Sequence, residues 1–253
     1  PFFKGQKIKE GEKTFKTVKK ILNDNVNRYI YFNNQLNNSQ NLLFLYKYLN
    51  HNKYNKIIGG DHSVSISTLQ HSVEKNNNIK VLWFDAHPDI NTFSESTTKN
   101  IHGMPLAVAT GLEDRFSFTK NKIPFENIMY VGIRSIDEYE KYIINKHNID
   151  YITVNDVIDN NYQSQEKIKE FIGDDKVHLS FDVDCLDPSI MKTTGTPVEN
   201  GLFLEHIYKL IYPIKKNVSF SECNEFNIIK DMNNYKDINI STETLRSITN
   251  LIF

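Results

Sequence analysis

No apolar run in these 253 residues approaches the roughly 18 that a membrane-spanning helix needs, so a spanning segment is excluded. The opening residues show no secretory-leader pattern. An excess of one charge is missing too. With 30 basic and 31 acidic side chains the net charge is −1, which offers little to a nucleic acid or an acidic membrane surface. Only two cysteines occur, Cys185 and Cys223, too few for a disulfide framework, and a reducing, cytoplasmic setting is expected. No internal repeat is present, and the polar stretches 33–38 and 159–164 read as connectors. The length suits one α/β domain over residues 1–253.

What the chain does contain is an alternation of short apolar runs and helix-period segments. Strands are predicted through Ile57-Ile58, residues 79–84, 127–132, 151–154, 177–181 and 217–220. Helices are predicted over residues 39–49, 135–147, 163–172, 202–211 and 241–252, with a further segment over 63–74. Residues 1–6 read as the end of another strand whose first residues are cut away. Such alternation predicts an α/β fold: a three-layer αβα arrangement around a central, mostly parallel sheet.

Three of the predicted strands run directly into clusters of metal-ligand residues. Gly59-Gly60-Asp61-His62-Ser63 follows the first, Asp85-Ala86-His87-Pro88-Asp89 the second, and Asp182-Val183-Asp184 another. Parallel strands bring their C-terminal ends to one edge, where loops build sites. Side chains two apart on an extended strand share a face, which pairs Asp85 with His87 and Asp182 with Asp184. Pro88 stops the strand and turns Asp89 back, and the glycine pair before His62 permits a tight bend. Four carboxylates gathered with two imidazoles repel one another without a cation. A dinuclear centre rich in hard oxygen suits Mn²⁺, with Co²⁺, Fe²⁺ and Zn²⁺ as alternatives. The Thr- and Ser-rich stretch 91–100 is placed to shape a pocket.

Together with Asn100-Ile101-His102-Gly103-Met104-Pro105 and the run Asp182 to Pro188, these motifs resemble the ureohydrolases, most closely the arginases, over nearly the whole chain. The resemblance implies two Mn²⁺ per chain, one held by His62, Asp85, Asp89 and Asp182, the other by His87, Asp85, Asp182 and Asp184. It implies hydrolysis of a small guanidino substrate, L-arginine to L-ornithine and urea, by attack of a metal-bridging hydroxide. His102, Glu225 and Asp89 would then be catalytic: His102 shuttles protons and Glu225 faces the guanidinium, with Glu222 as its rival. Asn91, Thr98 and Asn100 match positions that contact the α-carboxylate. Asp137 and Glu140 match those at the α-amine, and Thr196 supplies a hydroxyl near the guanidinium. Two segments depart from the family pattern: Ile228 stands where a proline is usual, and Glu199-Asn200-Gly201 replaces a glycine pair. Agmatine and formimidoylglutamate stay open as substrates, as does a metal-binding relative without turnover. A two-metal phosphoesterase ranks lower, because no Arg or Lys clamp lies in the ligand patches. Ureohydrolases assemble as trimers or hexamers, so a homo-oligomer is expected.

Overall fold

The structure, a computed structural model, describes residues 2–3, 6–7, 18–19, 36–228 and 234–253. Strands β1 (Phe2–Phe3) and β2 (Gln6–Lys7) form a separate antiparallel pair, so the N-terminal strand does not join the main sheet. That sheet has six strands: β3 (Lys56–Ile58), β4 (Lys80–Phe84), β5 (Ile128–Val131), β6 (Asp150–Ile152), β7 (Val177–Asp182) and β8 (Val218–Asn224). Their order is β3-β8-β7-β4-β5-β6, and every pairing is parallel.

Helices α1 (Asn38–Asn52), α2 (Ser65–Lys75), α3 (Pro105–Thr110), α4 (Glu138–His147), α5 (Val154–Asp159), α6 (Asn161–Ile172), α7 (Leu204–Ile211) and α8 (Tyr235–Ile252) cover both faces. Strand β4 shows why. Leu82 and Phe84 point to one side, packing in a core with Ile168 and Ile172 of α6, Leu210 of α7 and Ile248 of α8. Val81 and Trp83 point to the other, with Leu69 and Val73 of α2, Leu106 of α3 and Ile143 of α4. Each fully buried side chain of this size contributes about 1.5–3 kcal/mol relative to exposure. A strand apolar on both faces therefore belongs in the middle of the sheet.

Several boundaries differ from the sequence reading, each for a local reason. Val154, expected in a strand, opens α5, because Thr153 caps it in a reciprocal pair with Asp156. The stretch 159–164, expected as a connector, holds the start of α6, capped by Asn160. Helix α4 starts at Glu138 rather than Ser135, since Asp137 accepts the Glu140 N–H at 2.8 Å as its cap. Strand β8 runs on to Asn224, carrying Glu222 inside the sheet. Helix α3 escaped prediction: it is six residues long, begins on Pro105 and shows no repeated apolar period. Both cysteines are buried and unpaired. Among the described residues no helix is long and apolar enough to cross a membrane.

From β4 the chain moves outward to β5 and β6, then returns to β7 on the opposite flank of β4. The crevice between β4 and β7 is thus a topological switch point, where open α/β sheets receive ligands. Two of the three ligand patches leave the sheet at these strands.

Candidate metal centre and substrate cleft

Beyond β3 the chain must pass close beside β8. A Cβ on Gly59 would lie 2.0 Å from Asn224 Oδ1 and 2.7 Å from Val64 Cγ2. Gly59 serves close approach here, and the chain makes its expected bend at Gly60. Asp61 then caps the single turn His62–Val64, accepting the Ser63 N–H at 3.2 Å. The His62 ring stacks on Trp83, with centroids 4.2 Å apart.

The paired carboxylates converge, though not by strand alternation. Strand β4 ends at Phe84, so Asp85 and His87 both lie beyond it. Asp182 is the last residue of β7, and Asp184 sits in the following turn, its N–H donating to Asp182 Oδ1 at 2.8 Å. Asp89 turns back through a left-handed backbone, φ 48°. The result is two overlapping groups, His62 with Asp85 and Asp89, and Asp85 with His87 and Asp184. Three carboxylate oxygens approach His62 Nδ1: Asp85 Oδ2 at 3.1 Å, Asp89 Oδ2 at 3.0 Å and Asp182 Oδ2 at 3.1 Å. His87 Nδ1 lies 3.5 Å from Asp85 Oδ1 and 3.1 Å from Asp184 Oδ2.

Hydrogen bonding fixes what His62 presents to those oxygens. Ser180 Oγ donates to Glu222 Oε1 at 2.9 Å, so the 2.9 Å contact to His62 Nε2 requires that Nε2 carry the proton and donate. That leaves Nδ1 as a lone pair. It is buried and makes no hydrogen bond, although three acceptors crowd it. A lone pair facing three anions is stable only around a proton or a cation. Without a metal, the site takes up protons. Burial and the Asp85 charge push Asp89 up to about 6. Burial, with Asp184 and Asp85, drives Asp182 well above its usual range. Burial opposes charge on both histidines, but the carboxylates outweigh it, raising His62 well above normal and His87 to about 12. The missing hydrogen-bond geometry at Nδ1 favours the cation over the proton. Hard oxygens with imidazole nitrogens fit divalent ions.

These groups floor a cavity of about 180 Å³. Glu225 and His102 line it, with His102 Nδ1 3.4 Å from Glu225 Oε1. Glu225 takes a left-handed backbone, φ 65°, and its Oε1 accepts the His62 N–H at 2.8 Å. Its rival Glu222 is fully buried in β8 and does not reach the cavity. Thr196 lines it too, its hydroxyl donating to Asp184 Oδ2 at 3.1 Å. Asp137, Glu140, Thr98 and Asn100 complete the wall. Asn91 also lines it, but its amide is committed to Asp137 Oδ2. Burial pushes Glu140 up to about 8. The rim loop 92–100 lacks regular structure yet is pinned. Phe93 donates its N–H to Glu113 Oε2 at 2.9 Å and lies 3.4 Å under the Arg115 guanidinium, while Lys99 Nζ donates to Phe93 O at 2.7 Å.

Of the residues singled out in the sequence for this site, all but the buried Asp85 and Glu222 line this one cavity. The model of the arginase family matches residues 6–250. The chain belongs to the arginase family. An arginase of Entamoeba histolytica is 45% identical over 157 residues, 58% of this chain and 52% of that protein. An arginase of Staphylococcus aureus strain MRSA252 is 35% identical over 201 residues, 74% of this chain and 65% of that protein. The chain therefore spans between about half and two-thirds of the length of these curated relatives. The crystal structure of the Entamoeba histolytica arginase in complex with L-ornithine superposes with a TM-score of 0.80 at 31% identity, covering 100% of this chain and 95% of that one.

Sequence reasoning missed several supports in this arginase-family site. Trp83 and Ser180 each sit two residues before a candidate ligand aspartate, on the strand leading to it. Trp83 Nε1 donates to Asp85 Oδ2 at 3.0 Å, and Ser180 holds His62. For Ser180 the spacing was the available clue, since it shares a face of β7 with Asp182. Ser96 and Thr97 line the cavity from within the predicted loop.

Proposed function

We propose that this chain hydrolyses the guanidinium group of L-arginine, releasing L-ornithine and urea, with two divalent ions, manganese foremost, as cofactors. The observation that carries the reading is the convergence of two imidazoles and four carboxylates beneath a cleft that also holds Glu225, His102, Asp137 and Glu140. One ion would be held by His62, Asp85, Asp89 and Asp182, the other by His87, Asp85, Asp182 and Asp184. Such a pair supplies an acidified water as nucleophile and charge to stabilise what forms from it.

The remaining work falls to the chain's own side chains. A guanidinium is delocalised and permanently cationic, so an anion must orient it. Glu225 takes that role. Burial raises its pKa against the pull of His102, and an incoming cation restores the ionised form. Burial also opposes charge on His102, but the Glu225 carboxylate prevails and raises its pKa. The upward shift favours the protonated ring, which suits His102 to pass a proton to the departing amine. Thr196, anchored on Asp184, offers its hydroxyl oxygen beside the guanidinium. At the other end Asp137 and Glu140 supply charge for the substrate ammonium. Thr98 and Asn100 present a hydroxyl and an amide to its carboxylate, and Asn91 steadies Asp137. Agmatine has no carboxylate and would leave that last set unused.

The test is urea release by Mn²⁺-loaded protein from L-arginine and from agmatine, side by side. Urea from arginine is expected. Urea from agmatine alone would reassign the substrate, and metal binding without turnover of any guanidino or amidino compound would refute the activity. A homo-oligomer belongs to the same proposal and is measured by sedimentation.

A further inference from the structure

Arg134 takes no part in the chemistry just described, yet it bonds to three other segments around the site. It stands in the segment after β5, three residues before Asp137. Its own N–H and that of Ser135 both donate to Ala86 O at 2.9 Å, between Asp85 and His87. Its guanidinium donates to Asp184 O at 2.8 Å, Val198 O at 2.7 Å, and Gly132 O and Glu199 O at 3.0 Å each. Longer contacts of 3.4 Å reach Cys185 O and Leu186 O. Among the described residues no carboxylate pairs with it, so a half-buried cation is satisfied by carbonyl dipoles alone.

These bonds close a ring. Ala86 N–H donates to Asp184 Oδ1 at 3.1 Å, while Arg134 holds Ala86 through the backbone and Asp184 through its carbonyl. The ring runs through Asp184 and through Ala86, which stands between Asp85 and His87, and so ties together the group formed by these three residues. The other half of the centre is held differently, His62 by Glu225, Ser180 and Trp83. We propose that Arg134 is a positioning residue: a clamp that sets the His87–Asp184 half of the metal centre, and the 196–199 loop with it, in register with Asp137. The proposal rests on the two-ion reading above. A planar fork with five donors can serve carbonyls from three loops at once, whereas the compact ammonium of lysine cannot.

The test compares chelator-stripped wild type, Arg134→Gln and Arg134→Lys, each titrated with Mn²⁺ by equilibrium dialysis and followed by electron paramagnetic resonance for the coupled ion pair. Wild type should bind two ions. Both variants should melt cooperatively and keep one ion near wild-type affinity, with the second weakened by about 10–100-fold and the coupled signal lost. On a His87→Ala background, Arg134→Lys should change the retained ion's affinity by less than about twofold. Wild type binding no metal would defeat the two-ion reading and the clamp together. Wild type binding two ions, with the variants matching it, would defeat the clamp alone. Equal weakening of both ions, or failure of both variants to fold, would make Arg134 a general structural pin and would also overturn the proposal.

Discussion

Replacing Glu222 with glutamine removes a charge from a place water does not reach. Its carboxylate accepts hydrogen bonds from Ser65 Oγ at 2.6 Å, Thr68 Oγ1 at 2.7 Å and Ser180 Oγ at 2.9 Å, and lies 3.3 Å from His178 Nε2. Burial alone would raise its pKa. The hydrogen bond and charge of His178, helped by His62 and Ser65, bring it down instead, from the ordinary 4.5 to about 2. At roughly 1.4 kcal/mol per pH unit, that depression is worth about 3 kcal/mol. Above pH 4.5 both the folded and unfolded chains are ionised there, and the stabilisation is complete. Between pH 4.5 and about 2 the unfolded chain takes up the proton first, so stability drains away as the pH falls.

Glutamine keeps the shape and part of the hydrogen bonding but has no such titration. Urea denaturation of metal-stripped protein, followed by circular dichroism, should show wild type more stable than Glu222→Gln by about 3 kcal/mol at pH 7. The difference should hold to pH 5, then narrow, with about half of it gone near pH 3.2. A difference that stays constant from pH 7 to 3.5 would refute the reasoning. It would mean that Glu222 is not held as a carboxylate by its neighbours.

Three further outcomes follow from the site. Asp182→Asn should weaken both ions by more than the roughly 10–100-fold seen when only a supporting partner is lost, measured by metal titration, because a shared carboxylate serves each ion. His102→Ala should slow urea release on the order of 10²-fold with metal content unchanged, and loss of both ions in that variant would make His102 a ligand instead. Gly59→Ala should cost about 1–3 kcal/mol in denaturant unfolding, since its new Cβ meets Asn224 in a packed interior.

The parts of this protein that could be read in advance share one property: their information lies within a few neighbouring residues. Residues 79–84 are apolar on both faces but for Lys80, and become a central strand for that reason alone. Asp85, His87 and Asp89 announce themselves because two carboxylates and an imidazole follow a strand within five positions. Boundaries were less legible where two local tendencies compete. Val154 is a good strand residue, but Thr153 and Asp156 form a cap around its N-terminal side and the helix wins. The expected strand alternation of Asp182 and Asp184 failed for a similar reason. Asp182 accepts the N–H of Asp184, which bends the backbone into a turn while still bringing the side chains together.

What sequence could not show is how the ligands are held, because those partners are distant in number and ordinary in type. Glu222 looks like any strand-end glutamate until Ser65, Thr68, His178 and Ser180 are seen to converge on it from α2 and β7. Asp89 and Glu225 each hold a left-handed backbone without being glycine, a conformation costing about 1–3 kcal/mol that persists only where the surroundings over-determine it. The surroundings here are specific: Leu106 N–H donates to Asp89 O at 3.0 Å, and Glu225 N–H donates to Gly60 O at 2.8 Å. The first ties Asp89 to the opening turn of α3 within the segment that follows β4, and the second joins the loops that leave β8 and β3. The strained backbone at Glu225 therefore depends on two neighbouring strands ending side by side, and that at Asp89 on the first turn of α3, so each carboxylate is placed only when its neighbour is built. The residue types proposed to carry the chemistry are local and legible, and the geometry that gathers them is a property of parallel strands ending along one edge of the sheet.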